Sequence, residues 1–165
     1  NLVQDARIEE KQYEIIVDTL YKRARERALY ILDDAYKTKK QIIDKLKAGY
    51  YPEFIIDKVV GYLVEYDLIN DDRYASMYID FKASSKSKRQ IVQDLYLKGL
   101  SKETIDSAFE NNDFSEEDSL KKIIEKRKCR YDLTNQKDIE KFYRYLIGKG
   151  YPYHEVKRVL SLYNI

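Results

Sequence analysis

Paired carboxylates, one cysteine and one histidine are among the side chains of this 165-residue sequence that could perform acid–base, nucleophilic or metal chemistry. Three of the carboxylate pairs are Asp33-Asp34, Asp71-Asp72 and Glu116-Glu117. All three fall at the starts or ends of predicted helices, and the last two lie where a helix dipole attracts acidic residues. Helix capping is therefore the favoured interpretation, and general acid–base catalysis is the alternative.

The cysteine and the histidine exclude several classes of protein. One cysteine cannot close an intramolecular disulfide, and His154 alone cannot supply a histidine-rich metal site, so zinc fingers and Ser-His-Asp hydrolases lack their residues. Cys129 lies in a basic run that would favour a thiolate, but a small side chain on a helix is the more common role. This cysteine usage is typical of a reducing compartment, and we expect a cytoplasmic protein.

Patterns for nucleotide binding and membrane insertion are missing from the sequence. It contains no G-x-x-x-x-G-K-[ST], no G-x-G-x-x-G and no C-x-x-C. No apolar run approaches the roughly 18 to 20 residues that a membrane span needs. We therefore expect no enzymatic activity, no cofactor, no bound metal and no membrane partner. The chain begins at Asn1 and not at a methionine, which leaves open what precedes it.

Basic side chains are clustered although the chain as a whole is nearly neutral. Lys and Arg together number 31, Asp and Glu number 29, and the net charge is +2. The segment from Lys82 to Lys98 has five basic residues and one acid, and Lys121 to Arg130 has six and one. Our candidate contact residues are Lys37, Lys39, Lys40, Lys86, Lys88, Arg89, Arg127 and Arg130. Such clusters indicate a track for phosphates or for an acidic protein groove, or else an ordinary solvated helix face.

Tyrosine is the other abundant side chain with binding potential, at 17 residues against no tryptophan. A tyrosine can stack on a base or anchor a protein interface. Core packing is predicted from the register of Tyr51, Tyr74, Tyr78 and Tyr151. The register leaves four others uncommitted, namely Tyr50, Tyr96, Tyr153 and Tyr163.

A threefold internal repeat is the strongest signal in the sequence. Leu46, Leu95 and Leu146 are separated by 49 and 51 residues, and apolar residues recur at helical spacing around each of them. Each leucine is followed by a glycine stop and then by a helix-starting Ser or Pro. Another amphipathic stretch precedes each pair of helices. Each copy is therefore predicted to be a three-helix unit.

Capping residues and short joints define the predicted organisation. Thr38-Lys-Lys-Gln41 and Ser87-Lys-Arg-Gln90 have the form of a capping box, and Asp138 holds the corresponding place in the third copy. The predicted domains are residues 1–68, which include a long leading helix, residues 69–112 and residues 113–165. Short joints favour packing of neighbouring repeats. We expect an all-α, elongated, curved array of three tandem three-helix repeats, and a monomer.

Residues 68 to 105 carry a resemblance to a known family. Leu68-Ile-Asn-Asp-Asp-Arg-Tyr-Ala75, followed by Ser85-Lys-Ser-Lys-Arg-Gln-Ile91, Asp94-Leu95 and Lys98-Gly99-Leu100, resembles the signature of the RecX family of recombination regulators. The resemblance extends from about Arg27 to the C-terminus and includes the family's tandem three-helix architecture. One departure is Lys86-Ser87, where the family often has a glycine in the basic loop.

The resemblance implies a non-enzymatic regulator of the RecA recombinase in homologous recombination, DNA repair and the SOS response. Members of the family bind RecA filaments on single-stranded DNA and suppress ATP hydrolysis, strand exchange and repressor co-cleavage. The eight basic residues named above are the expected contacts with RecA or DNA, and binding to DNA alone is expected to be weak. A tandem helix-turn-helix-like DNA-binding protein is the alternative. A scaffold for another helical protein also stays open.

Overall fold

The computed structural model describes residues 9–164, so the first eight residues of the predicted first domain and Ile165 of the third lie outside the described residues. The helices are α1 Glu10–Asp34, α2 Lys39–Ala48, α3 Glu53–Glu65, α4 Asp71–Lys82, α5 Lys88–Leu97, α6 Lys102–Glu110, α7 Glu116–Arg127, α8 Gln136–Gly148 and α9 Tyr153–Ser161. A single 3-10 turn, Lys128–Arg130, follows α7. Every regular element between residues 9 and 164 is helical, which confirms the predicted all-α class and the three three-helix repeats.

The helices begin at the hydroxyl caps that the sequence predicts in the first two repeats. Thr38 accepts a hydrogen bond from the backbone N–H of Gln41, and the Gln41 side chain accepts one from the Thr38 N–H, which completes the capping box. Ser87 accepts from the Gln90 N–H, but the Gln90 side chain makes no return bond. The capping box predicted at Ser87 is therefore only half formed.

The cap predicted in the third repeat is wrong by three residues. Asn135, not Asp138, caps α8, and its side chain accepts from the Lys137 N–H at 2.9 Å. The reason is a local turn, in which the Asp132 carboxylate accepts hydrogen bonds from the backbone and the hydroxyl of Thr134 and so ends the preceding segment early. Asp138 lies inside the first turn of α8, where its carboxylate accepts from the Asp132 N–H.

The chain divides into two compact units, residues 1–70 and residues 71–165. The first unit contains α1 to α3, and the small, fully buried Ala24 and Ala28 let α1 pack closely on α3. The fully buried residues of α1 all lie in its C-terminal half, and Tyr13 and Ile16 nearer its start are exposed. The second unit contains α4 to α9 and has two apolar cores, one in each repeat.

Each repeat core is built around the leucine that identified the repeat. Leu46, Leu95 and Leu146 are all fully buried, and so are the apolar residues four positions before them. In each repeat the second helix contacts the third helix across a short turn. Between residues 9 and 164, no helix is both long enough and apolar enough to cross a bilayer.

Candidate functional site

A basic pair opens the second helix of the first repeat. Lys39 and Lys40 are the first two residues of α2 and are exposed, while Lys37 is half-buried just before the Thr38 cap. The Lys40 Nζ lies 2.8 Å from Asp44 Oδ2, one turn along the helix. Cations near a helix N-terminus oppose the helix dipole. The dipole therefore disfavours this pair, and the Lys40–Asp44 contact offsets part of that cost.

The second repeat places a basic pair at the corresponding position. Lys88 and Arg89 are the first two residues of α5 and are exposed. The Lys88 Nζ lies 4.8 Å from the centre of the Phe109 ring, and its backbone N–H donates to Glu116 Oε1 at 3.2 Å. No carboxylate of the described chain lies within ion-pair distance of Arg89. This guanidinium is therefore available to a partner.

Lys86 differs from its two neighbours because it is held inside the second repeat. Its ammonium group pairs with the Asp94 carboxylate, which also accepts a hydrogen bond from the Tyr78 hydroxyl at 2.8 Å. Burial acts to raise the pKa of Asp94, but the hydrogen bonds from Lys86 and Tyr78 outweigh it and the pKa is lowered. Burial, together with the hydrogen bond to Asp94 and the Asp94 charge, raises the pKa of Tyr78. Lys86 thus joins α5 to the loop before it.

The basic residues of the third repeat lie at a different place in their unit. Arg127 is in the last turn of α7, where the dipole favours a cation, and its guanidinium carbon lies 5.9 Å from the centre of the Tyr145 ring. Arg130 is exposed in the 3-10 turn. By the repeat register, the positions that match the basic pairs are Ile139 and Glu140. The basic pair is therefore a feature of the first two repeats.

Two buried serines join the second and third repeats within residues 71–165. Ser119 of α7 donates to the Lys86 carbonyl at 2.8 Å, and Ser87 donates to the Lys149 carbonyl at 2.8 Å. The Tyr151 hydroxyl lies 2.7 Å from Ser119 Oγ. Because the Ser119 proton is already donated, Tyr151 is the donor in that bond. These polar contacts fix the second repeat against the third.

The groups at this joint have altered acidities. Burial raises the pKa of Tyr151 to about 12, and the nearby Glu116 charge adds to the rise. Burial also raises the pKa of Glu116, against the opposing effect of the Lys88 backbone hydrogen bond and charge. Sequence reasoning missed this joint, although Tyr151 was placed in the core and is only 2% exposed. The buried Ser87 and Ser119 are separated by 32 residues, so no local pattern connects them.

Side chains suited to catalysis are scattered. Cys129 is exposed, and His154 is exposed at the start of α9 with its Nε2 3.8 Å from Glu155. Among the described residues, no three histidine, cysteine or acidic side chains come together as metal ligands would. Glu117 of one acidic pair contacts Lys121 and Arg158, both at 2.6 Å, which is a structural role.

Fold and surface together define a class: an all-α protein of tandem three-helix repeats with cationic starts to two of its helices. Family models for the first, second and third three-helix domains of RecX match residues 24–63, 70–108 and 115–160, in that order. The chain therefore belongs to the RecX family.

Named relatives and solved structures agree with this assignment. The regulatory protein RecX of Clostridium beijerinckii is 36% identical over 86% of this chain and 68% of its own length. That of Clostridium tetani is 33% identical over 98% of this chain and 77% of its own length. A crystal structure of a regulatory protein RecX has 25% identity and a TM-score of 0.78, over 97% of this chain and 83% of its own. RecX from Lactobacillus salivarius, at 22% identity and a TM-score of 0.74 over 87% of this chain and 96% of its own, shares the fold.

Proposed function

We propose that this protein binds the RecA filament on single-stranded DNA and inhibits its ATP hydrolysis, strand exchange and repressor co-cleavage. It would thereby modulate recombination, DNA repair and the SOS response. The observation that carries the proposal is the ordered match of all three repeats to the three domains of RecX, in a chain whose relatives are named regulatory proteins. Regulation by binding needs no catalytic group.

The surface supports this function through its two basic pairs. Lys39 with Lys40, and Lys88 with Arg89, offer exposed cations that suit phosphates or acidic side chains. We include Lys37, Lys86, Arg127 and Arg130 as further contacts, although Lys86 and Arg127 have partners within their own repeats. Contact with single-stranded DNA is weak or passes through RecA in this proposal, and the protein acts as a cytoplasmic monomer.

The test is ATP turnover by the cognate RecA on single-stranded DNA during titration with this protein. We expect suppression at amounts well below the RecA concentration, and a concentration for half-inhibition that rises about tenfold in Lys88→Glu/Arg89→Glu, since each of the two lost charge contacts is worth about 0.7 kcal/mol. The control is Lys22→Glu/Arg23→Glu, an exposed adjacent pair within α1 with the same change in charge. Full inhibition by the Lys88→Glu/Arg89→Glu variant, with its fold intact, would remove that pair from the interface.

The alternative function, a tandem helix-turn-helix-like DNA-binding protein, finds less support. A recognition helix presents base-reading side chains to the major groove. The third helices of the first two repeats instead expose acidic residues, such as Glu53 and Asp57 on α3 and Glu103 and Asp106 on α6. Unchanged ATP turnover together with tight binding to bare DNA would nevertheless establish this alternative and overturn the proposal.

A further inference from the structure

The joint between the second and third repeats forms an open cleft of about 590 Å³, which we call the joint cleft. Its walls combine the first turn of α5, the end of α8 and the turn before α9. Its lining includes Lys88, Arg89, Val92, Ile147, Tyr151 and Tyr153. Both walls belong to residues 71–165.

The floor of the joint cleft is fixed in place before any partner arrives. Gly150 has φ +88°, and a Cβ there would lie 2.8 Å from Ser87 Oγ, so only glycine lets the two segments approach this closely. Ser87 bonds the neighbouring Lys149 carbonyl, and Tyr151 is buried and bonded to Ser119. A preformed site lowers the entropy cost of binding.

Apolar side chains line the cleft and remain open to solvent. Ile147 is 40% exposed and Tyr153 is 60% exposed, although both would gain from burial. The Tyr153 ring lies 6.3 Å from the ring of Tyr143, which lines a second hollow of about 360 Å³ that also shares Ile147. The apolar surface thus continues along α8 and is long enough for more than one side chain of a partner.

The positive charge at the rim of the cleft favours a partner with acidic groups. Lys88 and Arg89 are both exposed, and Arg144 lines the adjoining hollow with no carboxylate of the described chain in ion-pair distance. The Glu116 carboxylate, which also lines the cleft, is occupied by the Lys88 backbone N–H. The site therefore favours an apolar side chain and an acid that lie close together, because Ile147 and Tyr153 are exposed beside Lys88 and Arg89. A protein segment meets both demands.

We propose that the joint cleft docks a segment of a partner protein in which an apolar or aromatic side chain stands beside carboxylates. The apolar side chain enters between Val92, Ile147 and Tyr153, and the carboxylates meet Arg89 and Lys88. This goes beyond the proposed function, and the test below contains no RecA, so failure of either proposal leaves the other standing.

The test titrates the full chain with a short peptide that has one phenylalanine flanked by aspartates, followed by NMR of backbone amides. We expect saturable shifts at Ile147, Gly150 and Tyr153 with a dissociation constant on the order of 1 mM, as suits a small ligand. Ile147→Asp should weaken the peptide at least tenfold, because it places a like charge in the apolar part. The control is Leu97→Asp, since Leu97 is an exposed leucine at the opposite end of α5 and should leave binding unchanged.

Comparison ligands decide between this proposal and its rivals. A peptide with lysines in place of the aspartates, and one with glycine in place of the phenylalanine, should each bind at least tenfold more weakly. Equal binding of either peptide, or shifts spread outside the cleft, would overturn the proposal. Stronger binding of a short thymidine oligonucleotide at the same amides would assign the cleft to single-stranded DNA and would also overturn it.

Discussion

Lys86 and Arg89 are three positions apart in one basic segment, but Lys86 is paired within its repeat and Arg89 is exposed. Lys86 is half-buried and paired with Asp94, which also holds the Tyr78 hydroxyl. Arg89 faces solvent at the rim of the joint cleft. The difference arises because Lys86 precedes the Ser87 cap and turns back over α5, while Arg89 lies in the first turn of that helix. Charge alone is therefore a poor guide to which member of a cluster contacts a partner.

Replacing Gly150 tests the close approach at the joint. Gly150→Ala should lower the free energy of unfolding by about 1 to 3 kcal/mol, because alanine is strained at φ +88° and its Cβ would lie 2.8 Å from Ser87 Oγ. Urea unfolding followed by circular dichroism measures the change. Gly148→Ala is the matched control, since a Cβ there meets nothing within 4 Å and should leave stability unchanged or raised. Equal stability of the two variants would show that alanine at position 150 is not strained.

The Asp94 carboxylate makes a pH-dependent contribution to stability. Its pKa is lowered in the folded protein, so the stabilisation is present above the unfolded pKa of about 3.9 and is lost as pH falls through the lower folded value. Asp94→Asn should cost about 1 kcal/mol at pH 7. The difference in the free energy of unfolding between this variant and the unsubstituted protein should disappear as the pH falls below about 4. Urea titrations at both pH values measure it. Asp44→Asn, which removes an exposed ion pair, should have little effect at either pH.

Among the helices, the first two repeats follow local rules and the third departs from them. Thr38 and Ser87 cap α2 and α5 at the predicted residues, because a hydroxyl at that position satisfies a first-turn N–H. In the third repeat the Asp132 turn is followed by an Asn135 cap, so α8 begins at Gln136, three residues earlier than predicted. Arg127 and Arg130 lie at the end of α7 and in the 3-10 turn, and Ile139 and Glu140 hold the α8 positions that match the basic pairs.

The link between α7 and the second repeat depends on one hydroxyl. Ser119→Ala should lower the free energy of unfolding by about 2 kcal/mol, because it leaves the Lys86 carbonyl and the Tyr151 hydroxyl without this buried partner. Thermal unfolding monitored by calorimetry provides the measurement. Ser85→Ala removes an exposed hydroxyl bonded to the Lys82 carbonyl and should change stability by less than about 0.5 kcal/mol. A loss no larger for Ser119→Ala than for Ser85→Ala would show that this contact does not hold the repeats together.

Over the whole molecule, a net charge of only +2 conceals local surfaces of opposite character. Acidic residues on α3 and α6 balance the basic pairs, so attraction to DNA depends on particular positions and not on the total. The division into residues 1–70 and 71–165 places one basic pair in each unit. The predicted domain bounds, elongated curved arrangement and monomeric state stay predictions.

Salt dependence separates contacts with DNA from contacts with protein. If Lys39 and Lys40 contact phosphates, Lys39→Gln/Lys40→Gln should reduce the slope of log affinity for single-stranded DNA against log salt by about 1.4, at roughly 0.7 per contact. Fluorescence anisotropy at several salt concentrations gives the slope. Lys88→Gln/Arg89→Gln should leave the slope unchanged if, as we propose, that pair lies at the rim of a cleft that docks a protein segment. A reversed outcome would place the DNA contact in the second repeat.

The sequence by itself determined the helical class, the threefold repeat and most of the core. Leu46, Leu95 and Leu146 are all fully buried, because helical spacing and glycine stops are read over a few neighbouring residues. Only the tertiary structure decided that Lys86 is paired inside its repeat and that a cleft lies between repeats. Ser87 meets Lys149 across 62 residues and Ser119 meets Lys86 across 33. Such contacts depend on how whole helices pack, and short-range sequence patterns carry no information about that packing.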